Sequence, residues 1–247
     1  MDDFIRQQQA FADEKLPQVP WVERTRLTPL GDVAHHASLM AARKYLPDDL
    51  STTSMLIVNC GSGVDTRFFQ VEGTGDMTVT DISTGGLSTT MRYCPDVQPV
   101  LADTARLPFA DNSFDVVGVR SGLHHLEDPP AGLAEMFRVC RVGCFFIEGH
   151  ETPLVPVFVG LGMLEAEEEA GNKVYRYTRE RFAVEARRLG ASNARCTTAW
   201  FAQIPWLIRM LESIPGKTPA LLWKACLNAT NLFVGRMGNC FIGYLAK

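Results

Sequence analysis

Four groups of polar residues in this chain combine residue type and spacing in ways that can do chemistry. The first is the small-residue run Asn59-Cys60-Gly61-Ser62-Gly63, which follows the apolar segment Met55-Leu56-Ile57-Val58. Glycines in such a turn let the backbone approach a ligand closely. The second is Asp81, which ends another apolar run, Met77-Thr78-Val79-Thr80, 18 residues after Gly63. A carboxylate at that spacing accepts hydrogen bonds from ribose hydroxyls. The third is Asp103-Thr104, soon followed by Leu107-Pro108-Phe109 and by Asp111 to Val117. The fourth comprises Arg120-Ser121-Gly122-Leu123-His124-His125 and, further on, Glu148, His150 and Glu151. Histidine takes a proton near neutral pH without a large pKa shift, so His124, His125 and His150 are candidate general bases.

Groups so far apart in sequence need rigid elements to bring them together. The pattern of apolar runs predicts strands near 55–59, 77–81, 97–101, 114–119 and 143–148, with helices near 64–71, 84–92 and 129–140. This alternation predicts a parallel sheet with helices on both faces. Ligands then bind beyond the carboxyl ends of the strands, where Asn59, Asp81, Asp103, Arg120 and Glu148 all fall. An amphipathic helix is expected over Ala34 to Leu46, stopped by Pro47, and another from Tyr177 to Leu189, stopped by Gly190. Glu165 to Glu169 reads as a solvated helix face ending at Gly171-Asn172. A sixth strand is expected over Ala194 to Thr198 and a closing strand over Asn239 to Ala246.

Taken in this order, the glycine turn, the two acids and the histidine segment resemble the class I S-adenosylmethionine (SAM)-dependent methyltransferases. The likeness is to the small-molecule and quinone-type group, the methyltransferase type 11-like proteins, and covers roughly residues 50 to 150. It implies an α/β, Rossmann-like doubly wound fold: a mostly parallel seven-stranded sheet with an antiparallel last strand, plus helical additions at both ends. Residues 1–50 would form a helical cap over the cofactor mouth. Residues 51–247 would form the SAM-binding domain, with 151–235 contributing the acceptor pocket. The resemblance also assigns roles. Asn59, Cys60, Gly61, Ser62 and Gly63 would lie against the methionine part of SAM, and Asp81 would bind the ribose. Ile82 would pack on the adenine, and Asp103 with the Thr104 backbone would meet its amino edge. Arg120 to His125 would floor the site near the methyl group. Arg120 would pair there with the SAM carboxylate or with an acidic helix neighbour, and His124 and His125 are open to either a base or a floor role. Plainer roles stand beside these: Asp81 can cap the helix starting near Ser83, and Asp103 can cap a turn. The chain departs from the family pattern after Arg141, where Val142-Gly143-Cys144 is shorter and lacks the usual proline, and at two positions by the cofactor turn. Ile57 stands where an acid is usual, and Asn59 replaces the first turn glycine, a place asparagine tolerates because it accepts positive φ.

Composition narrows the remaining classes. The chain has 247 residues, 46% hydrophobic and 21% charged, with a formal net charge of −4. That charge, with no basic cluster, argues against nucleic acid as a partner. No apolar stretch approaches the 18 residues a membrane span requires, and the acidic start Met1-Asp2-Asp3 lacks a signal-peptide core. Seven cysteines without a Cys-x-x-Cys pair read as free thiols in a reducing cytoplasm, with no metal site. Trp200, Phe201, Trp206, Leu207, Met210, Leu211 and Trp223 would make an apolar acceptor pocket or a homodimer face. The expected function is SAM-dependent methyl transfer to a small apolar or aromatic acceptor, at oxygen or carbon rather than nitrogen. The alternative is a SAM-fold protein that has lost transfer and binds, regulates or runs another reaction. A nicotinamide oxidoreductase would need a third turn glycine and leaves residues 103–125 without a role.

Overall fold

Strands that are apolar at every position have to be covered on both faces, and this requirement places the sheet. In β1 (Met55–Ile57), Met55 and Ile57 enter one core layer while Leu56 enters the other, joined there by the following residue Val58. The computed structural model describes residues 3–15, 29–160, 166–167, 171–199, 221–222, 224–226, 228–229, 231 and 237–247. The remaining strands are β2 (Met77–Asp81), β3 (Gln98–Leu101), β4 (Phe114–Arg120), β5 (Cys140–His150), β6 (Arg176–Tyr177), β7 (Asn193–Ala199) and β8 (Cys240–Ala246). Their order is β3-β2-β1-β4-β5-β8-β7, and β6 pairs with β5 off this path. β1 to β5 run parallel, and β8 lies antiparallel between β5 and β7.

The α-helices whose bounds are described are α1 (Asp3–Lys15), α2 (Pro29–Arg43), α3 (Val64–Val71), α4 (Thr84–Tyr93), α5 (Pro129–Val139), α6 (Val155–Gly160) and α7 (Arg179–Leu189). α2, α3 and α4 cover one face of the sheet through Leu39, Ala42, Phe69 and Leu87. α5 and α7 cover the other through Leu133, Met136, Phe137, Phe182 and Ala186. The helix starts are legible in local chemistry. Ser83, Asp128 and Thr178 each cap a helix by accepting a backbone N–H from Gly86, Ala131 and Arg181 respectively. Gly190, in the left-handed region at φ 71°, ends α7.

The doubly wound, mostly parallel sheet with an antiparallel strand is therefore present, but it has eight strands where seven were expected. The extra one is β6, which aligns Arg176 and Tyr177 with Gly149 and His150 at the end of β5. Tyr177 thus ends a strand rather than opening a helix, and Thr178 caps the helix after it. β1 stops at Ile57, two residues early, because the chain must leave the ladder to reach the positive φ of Asn59. α2 runs from Pro29 to Arg43 rather than from 34 to 46. It ends where the Arg43 guanidinium turns back to the carbonyls of Pro47 and Asp48, at 2.6 and 2.5 Å. Of the acidic run, Ala166 and Glu167 are not helical; Glu167 bridges antiparallel to Lys173. The seven residues of the expected apolar pocket, from Trp200 to Trp223, lie outside the described residues.

The sheet also sets a steric condition at Gly118. It sits opposite Phe145 in the β4–β5 register, and a methyl group there would fall within the Phe145 ring. Gly118→Ala is expected to lower stability by about 1–3 kcal/mol, the usual cost of overpacking. Urea denaturation reads this directly, and an unchanged midpoint would show that the ring can move aside.

Candidate active site

Ends of parallel strands carry backbone groups that no neighbouring strand satisfies, and here side chains from the next elements meet them. The chain leaves β1 through Asn59 at φ 51° and turns through Gly61 at 49° and Gly63 at 79° into α3. The Asn59 carboxamide is a three-way tie. Its Nδ2 donates to the Gly122 carbonyl at 2.9 Å, and its Oδ1 accepts from the Thr104 hydroxyl. Asparagine therefore does more than tolerate positive φ: it joins the ends of β1, β3 and β4. Gly122 has to be glycine beside it, since a Cβ would lie 2.8 Å from the Asn59 Cβ.

Asp81 closes β2 and is only 6% exposed. Its Oδ2 accepts from Gly61 N–H at 2.8 Å and its Oδ1 from Ser83 N–H at 2.9 Å. A carboxylate has about four lone-pair directions, so with these donors it keeps capacity for a ligand. Burial pushes the carboxyl above the ordinary range; the N–H donors of Gly61, Ser83 and Ile82 oppose that shift, and the charge of Asp13 adds to it. The N-terminus of α4 comes so close that a Cβ on Gly86 would sit 2.9 Å from the Asp81 carboxyl carbon. The helix-capping role considered for this region belongs to Ser83. Asp103 closes an Asx turn by accepting from Ala105 N–H at 2.9 Å. Arg138 anchors its loop by donating to the carbonyls of Leu107 and Phe109 and to Asp111, while Glu135 accepts from Leu107 N–H.

The histidines separate by environment. Glu148, on β5 and 3% exposed, accepts from Gly122 N–H at 2.8 Å and Leu123 N–H at 2.7 Å. Its other oxygen lies 2.5 Å from His124 Nδ1, which therefore carries the hydrogen. His124 is thus buried and committed to holding the turn. His125 packs against it, with ring centroids 4.3 Å apart and the rings tilted by 40°, and lines the space beyond the strand ends. His150 is buried elsewhere, with Nδ1 donating to the Gly238 carbonyl at 2.7 Å and its ring against Phe241.

A cleft of about 600 Å³ results at the carboxyl edge of the sheet. Asn59, Cys60, Gly61, Ser62, Asp81, Ile82, Asp103, Thr104, Arg120 and His125 all line it. Gly63, His124 and His150 do not: Gly63 packs against Thr90, and the two histidines are tied into the structure as described. The Cys60 thiol is held protonated, mainly by burial and also by the Asp81 charge. Among the described residues, no three His, Cys, Asp or Glu side chains gather as a metal set.

The sequence reading expected a cap from residues 1–50 but not how it is built. α1 roofs the cleft with Phe4, Ile5, Gln8, Phe11 and Ala12, while α2 reaches it through His35. α1 is fastened by Asp13, whose Oδ1 accepts from Ser83 Oγ at 2.6 Å, Thr84 Oγ1 at 3.3 Å and Gly85 N–H at 2.9 Å. It caps the N-terminus of α4 from a distance of 70 residues, where a negative charge also suits the helix dipole. Gln8 adds a second tie, donating to Asn172 Oδ1 at 3.4 Å, and Asn172 in turn donates to the His124 carbonyl. Finally, His35 from α2 and Asp65 from the first turn of α3 reach the wall beside Arg120.

Two outcomes follow from these ties. Glu148→Gln keeps one accepting oxygen for three donors, so a stability loss of about 1.5–3 kcal/mol is expected in urea denaturation. A loss below about 0.5 kcal/mol would mean that the turn is held by other contacts. Burial works to raise the Asp13 pKa, but the Ser83, Gly85 and Thr84 donors outweigh it and hold the value below 3.8. Its contribution is therefore present above that value and lost as pH falls through the lower folded pKa. Asp13→Ala should speed amide exchange in α1 about 5-fold at neutral pH, as expected for losing a cap worth about 1 kcal/mol. Exchange should rise in the native protein only below about pH 4.

A family model for a methyltransferase domain matches residues 56–147. A demethylmenaquinone methyltransferase of Renibacterium salmoninarum is 38% identical over 89 residues, which is 36% of this chain and 37% of that protein. The match thus spans little more than a third of that relative's length. Among solved structures, a chain from the complex of the Haloferax volcanii Trm112 methyltransferase activator with a methyltransferase superposes with a TM-score of 0.64 at 16% identity, covering 100% of this chain and 98% of that one. Magnesium protoporphyrin IX methyltransferase from Synechocystis PCC 6803, solved with S-adenosylhomocysteine bound, gives 0.60 at 14% identity, covering 87% and 84%. At such identities the structures speak for the fold alone, and the likeness to methyltransferases in sequence is carried by residues 56–147.

Proposed function

We propose that this protein binds SAM in the cleft below α1 and transfers its methyl group to a small acceptor. The observation that carries this reading is Asp81: a buried carboxylate at the carboxyl end of β2, with both oxygens oriented by backbone N–H groups and accepting capacity left for a ligand. That arrangement suits the two adjacent hydroxyls of a ribose. The glycine turn supports it, because the backbone from Asn59 to Gly63 carries no side chain at Gly61 to keep a ligand away. Ile82 supplies an apolar surface for an adenine face, and Asp103 with the Thr104 backbone supplies polar groups for its edge.

SAM brings an electrophilic methyl on a good leaving group, so the protein's share is alignment and exclusion of water. α1 serves the second need through Phe4, Ile5 and Phe11. Of the three candidate histidines, we assign acceptor contact to His125, since it faces the cleft; His124 positions the turn that presents it. Where the acceptor is a hydroxyl or an acidic carbon, His125 is placed to take its proton. The curated relative's name, demethylmenaquinone methyltransferase, favours an apolar, quinone-like acceptor. We place the protein in the cytoplasm, consistent with free cysteines and with no described helix long and apolar enough to cross a membrane.

One observation favours the second reading, a protein that binds SAM without transferring its methyl. Ile57 is buried in the apolar core where the family pattern has an acid. Transfer of labelled methyl to quinol-like acceptors separates the two readings, because binding without transfer to any acceptor would support the second. For the cofactor itself, Asp81→Ala is expected to weaken SAM binding by about 1.5–3 kcal/mol in isothermal titration, as for charge-assisted hydrogen bonds. Unchanged affinity in a folded variant would remove Asp81 from the site. His125→Ala should lower turnover at least 10-fold, within the usual range for a proton-transfer group, with SAM affinity kept.

A further inference from the structure

His125 reaches the cleft from a single 3₁₀ turn, Leu123–His125. A turn this short keeps its shape through what grips it from outside. Glu148 grips the Gly122 and Leu123 N–H groups and the His124 ring. The peptide that joins His124 to His125 is gripped from elsewhere. Its N–H donates to the Gly122 carbonyl at 3.3 Å, a long bond to an oxygen already shared with Asn59 Nδ2. Its carbonyl accepts from Asn172 Nδ2 at 2.9 Å, the shorter of these two holds.

Asn172 comes from outside the strand-and-helix units that carry the cleft. It lies 48 residues beyond His124, shortly before β6, which pairs with the end of β5. It is 3% exposed and does not line the cleft. Gly171 precedes it at φ 80°, and a Cβ there would lie 2.8 Å from Gln7 Nε2, so the chain passes against α1 at this point. A carboxamide has unlike ends, an NH2 that donates and an oxygen that accepts. Gln8, also on α1, donates through Nε2 to Asn172 Oδ1 at 3.4 Å. That contact keeps Oδ1 toward the roof and so keeps Nδ2 toward the His124 carbonyl. Burial accounts for a paired asparagine; it does not account for one whose two ends join the roof to the turn of a cleft-lining histidine.

We propose that Asn172 is a positioning residue for His125, fixing the His124–His125 peptide when α1 is seated over the cleft. The proposal rests on the assignment of acceptor contact to His125 above and names what sets that residue in place. The turn is completed only when the cleft is closed, so His125 is aligned as water is excluded and released as the roof lifts.

Hydrogen exchange at the His125 amide, followed by NMR, tests the hold without any acceptor. Asn172→Ala should speed exchange there about 5-fold, as for the loss of one hydrogen bond. Gln8→Ala should act in the same direction by itself and add nothing beside Asn172→Ala, since its effect passes through that carboxamide. A cooperative thermal transition reports that each variant is folded. Transfer of labelled methyl to 1,4-naphthohydroquinone gives the second readout. Asn172→Ala should lower kcat at least 10-fold with SAM affinity kept within about 2-fold, and lower it no further when His125 is already alanine. Unchanged exchange at His125 in Asn172→Ala, or additive effects of the Gln8 and Asn172 changes, overturns the proposal. So does a fall in turnover that adds to that of His125→Ala, or one matched by weaker SAM binding. Absence of transfer by the native protein counts against the acceptor reading alone, and the exchange result still decides whether Asn172 holds His125. Asn172→Asp keeps an acceptor for Gln8 and removes the donor to His124, so it takes the place of the alanine variant should that one not fold.

Discussion

The arrangement depends on one constraint: several parallel strands end along one edge, and their terminal backbone groups must be satisfied without filling the space beyond. Asp81 is the central answer. One carboxylate holds the Gly61 end of the glycine turn and the Ser83 start of α4, so both are fixed relative to β2. That choice propagates. α4 can approach only with glycine at 86, and the turn can pack on α4 only with glycine at 63, whose Cβ would lie 2.9 Å from Thr90 Cα. The exposed start of α4 then takes Asp13, and so the roof is hung from the element that Asp81 positions.

Glu148 repeats the device on the other side of β1. It gathers two backbone N–H groups and an imidazole, which locks the turn after β4 and leaves His125 on the open side. Asn59 links the two halves by spanning the Thr104 loop and Gly122. Hydrogen bonds to a charged, buried acceptor stabilise more than neutral ones, and leaving any one of these donors unmatched would cost about 1–3 kcal/mol. The cleft is therefore held open by polar ties at its rim, while apolar packing holds the sheet below it.

What could be read from the sequence follows from how local each determinant is. β2, α3 and α5 are fixed by short-range signals: a β-branched run, a glycine turn and an Asp-Pro-Pro start. Their expected limits lie within a residue or so of the observed ones. The strand-end rule likewise gathered Asn59, Asp81, Asp103 and Arg120 around one cleft. The misses depend on partners distant in sequence. Nothing near His124 indicates that Glu148 will occupy its Nδ1, so His124 and His125 look alike in the sequence. Asp13 resembles any acidic helix residue until α4 is placed beneath it. β6 has two residues, too few for a pattern of its own, and exists because the end of β5 needs a neighbour.

Rim and core differ in strength, and this bears on how a ligand could enter. α1 contributes no side chain to either buried apolar cluster, whereas α2 places Leu39 and Ala42 deep in one of them. Among the described residues, the polar fastenings of α1 include the Asp13 cap and the Gln8–Asn172 contact, each of a kind worth about 1 kcal/mol. Elements with few buried apolar contacts open at a free-energy cost far below that of global unfolding. Lifting α1 would uncover Phe4, Ile5 and Phe11 together with the cleft and leave Asp81, Asn59 and Glu148 in place. On the proposed cofactor reading, an adenine ring arriving beneath α1 would give those three side chains an apolar surface to cover. Closure would then be favoured by the ligand itself, and the same step would exclude water, as the proposed methyl transfer requires.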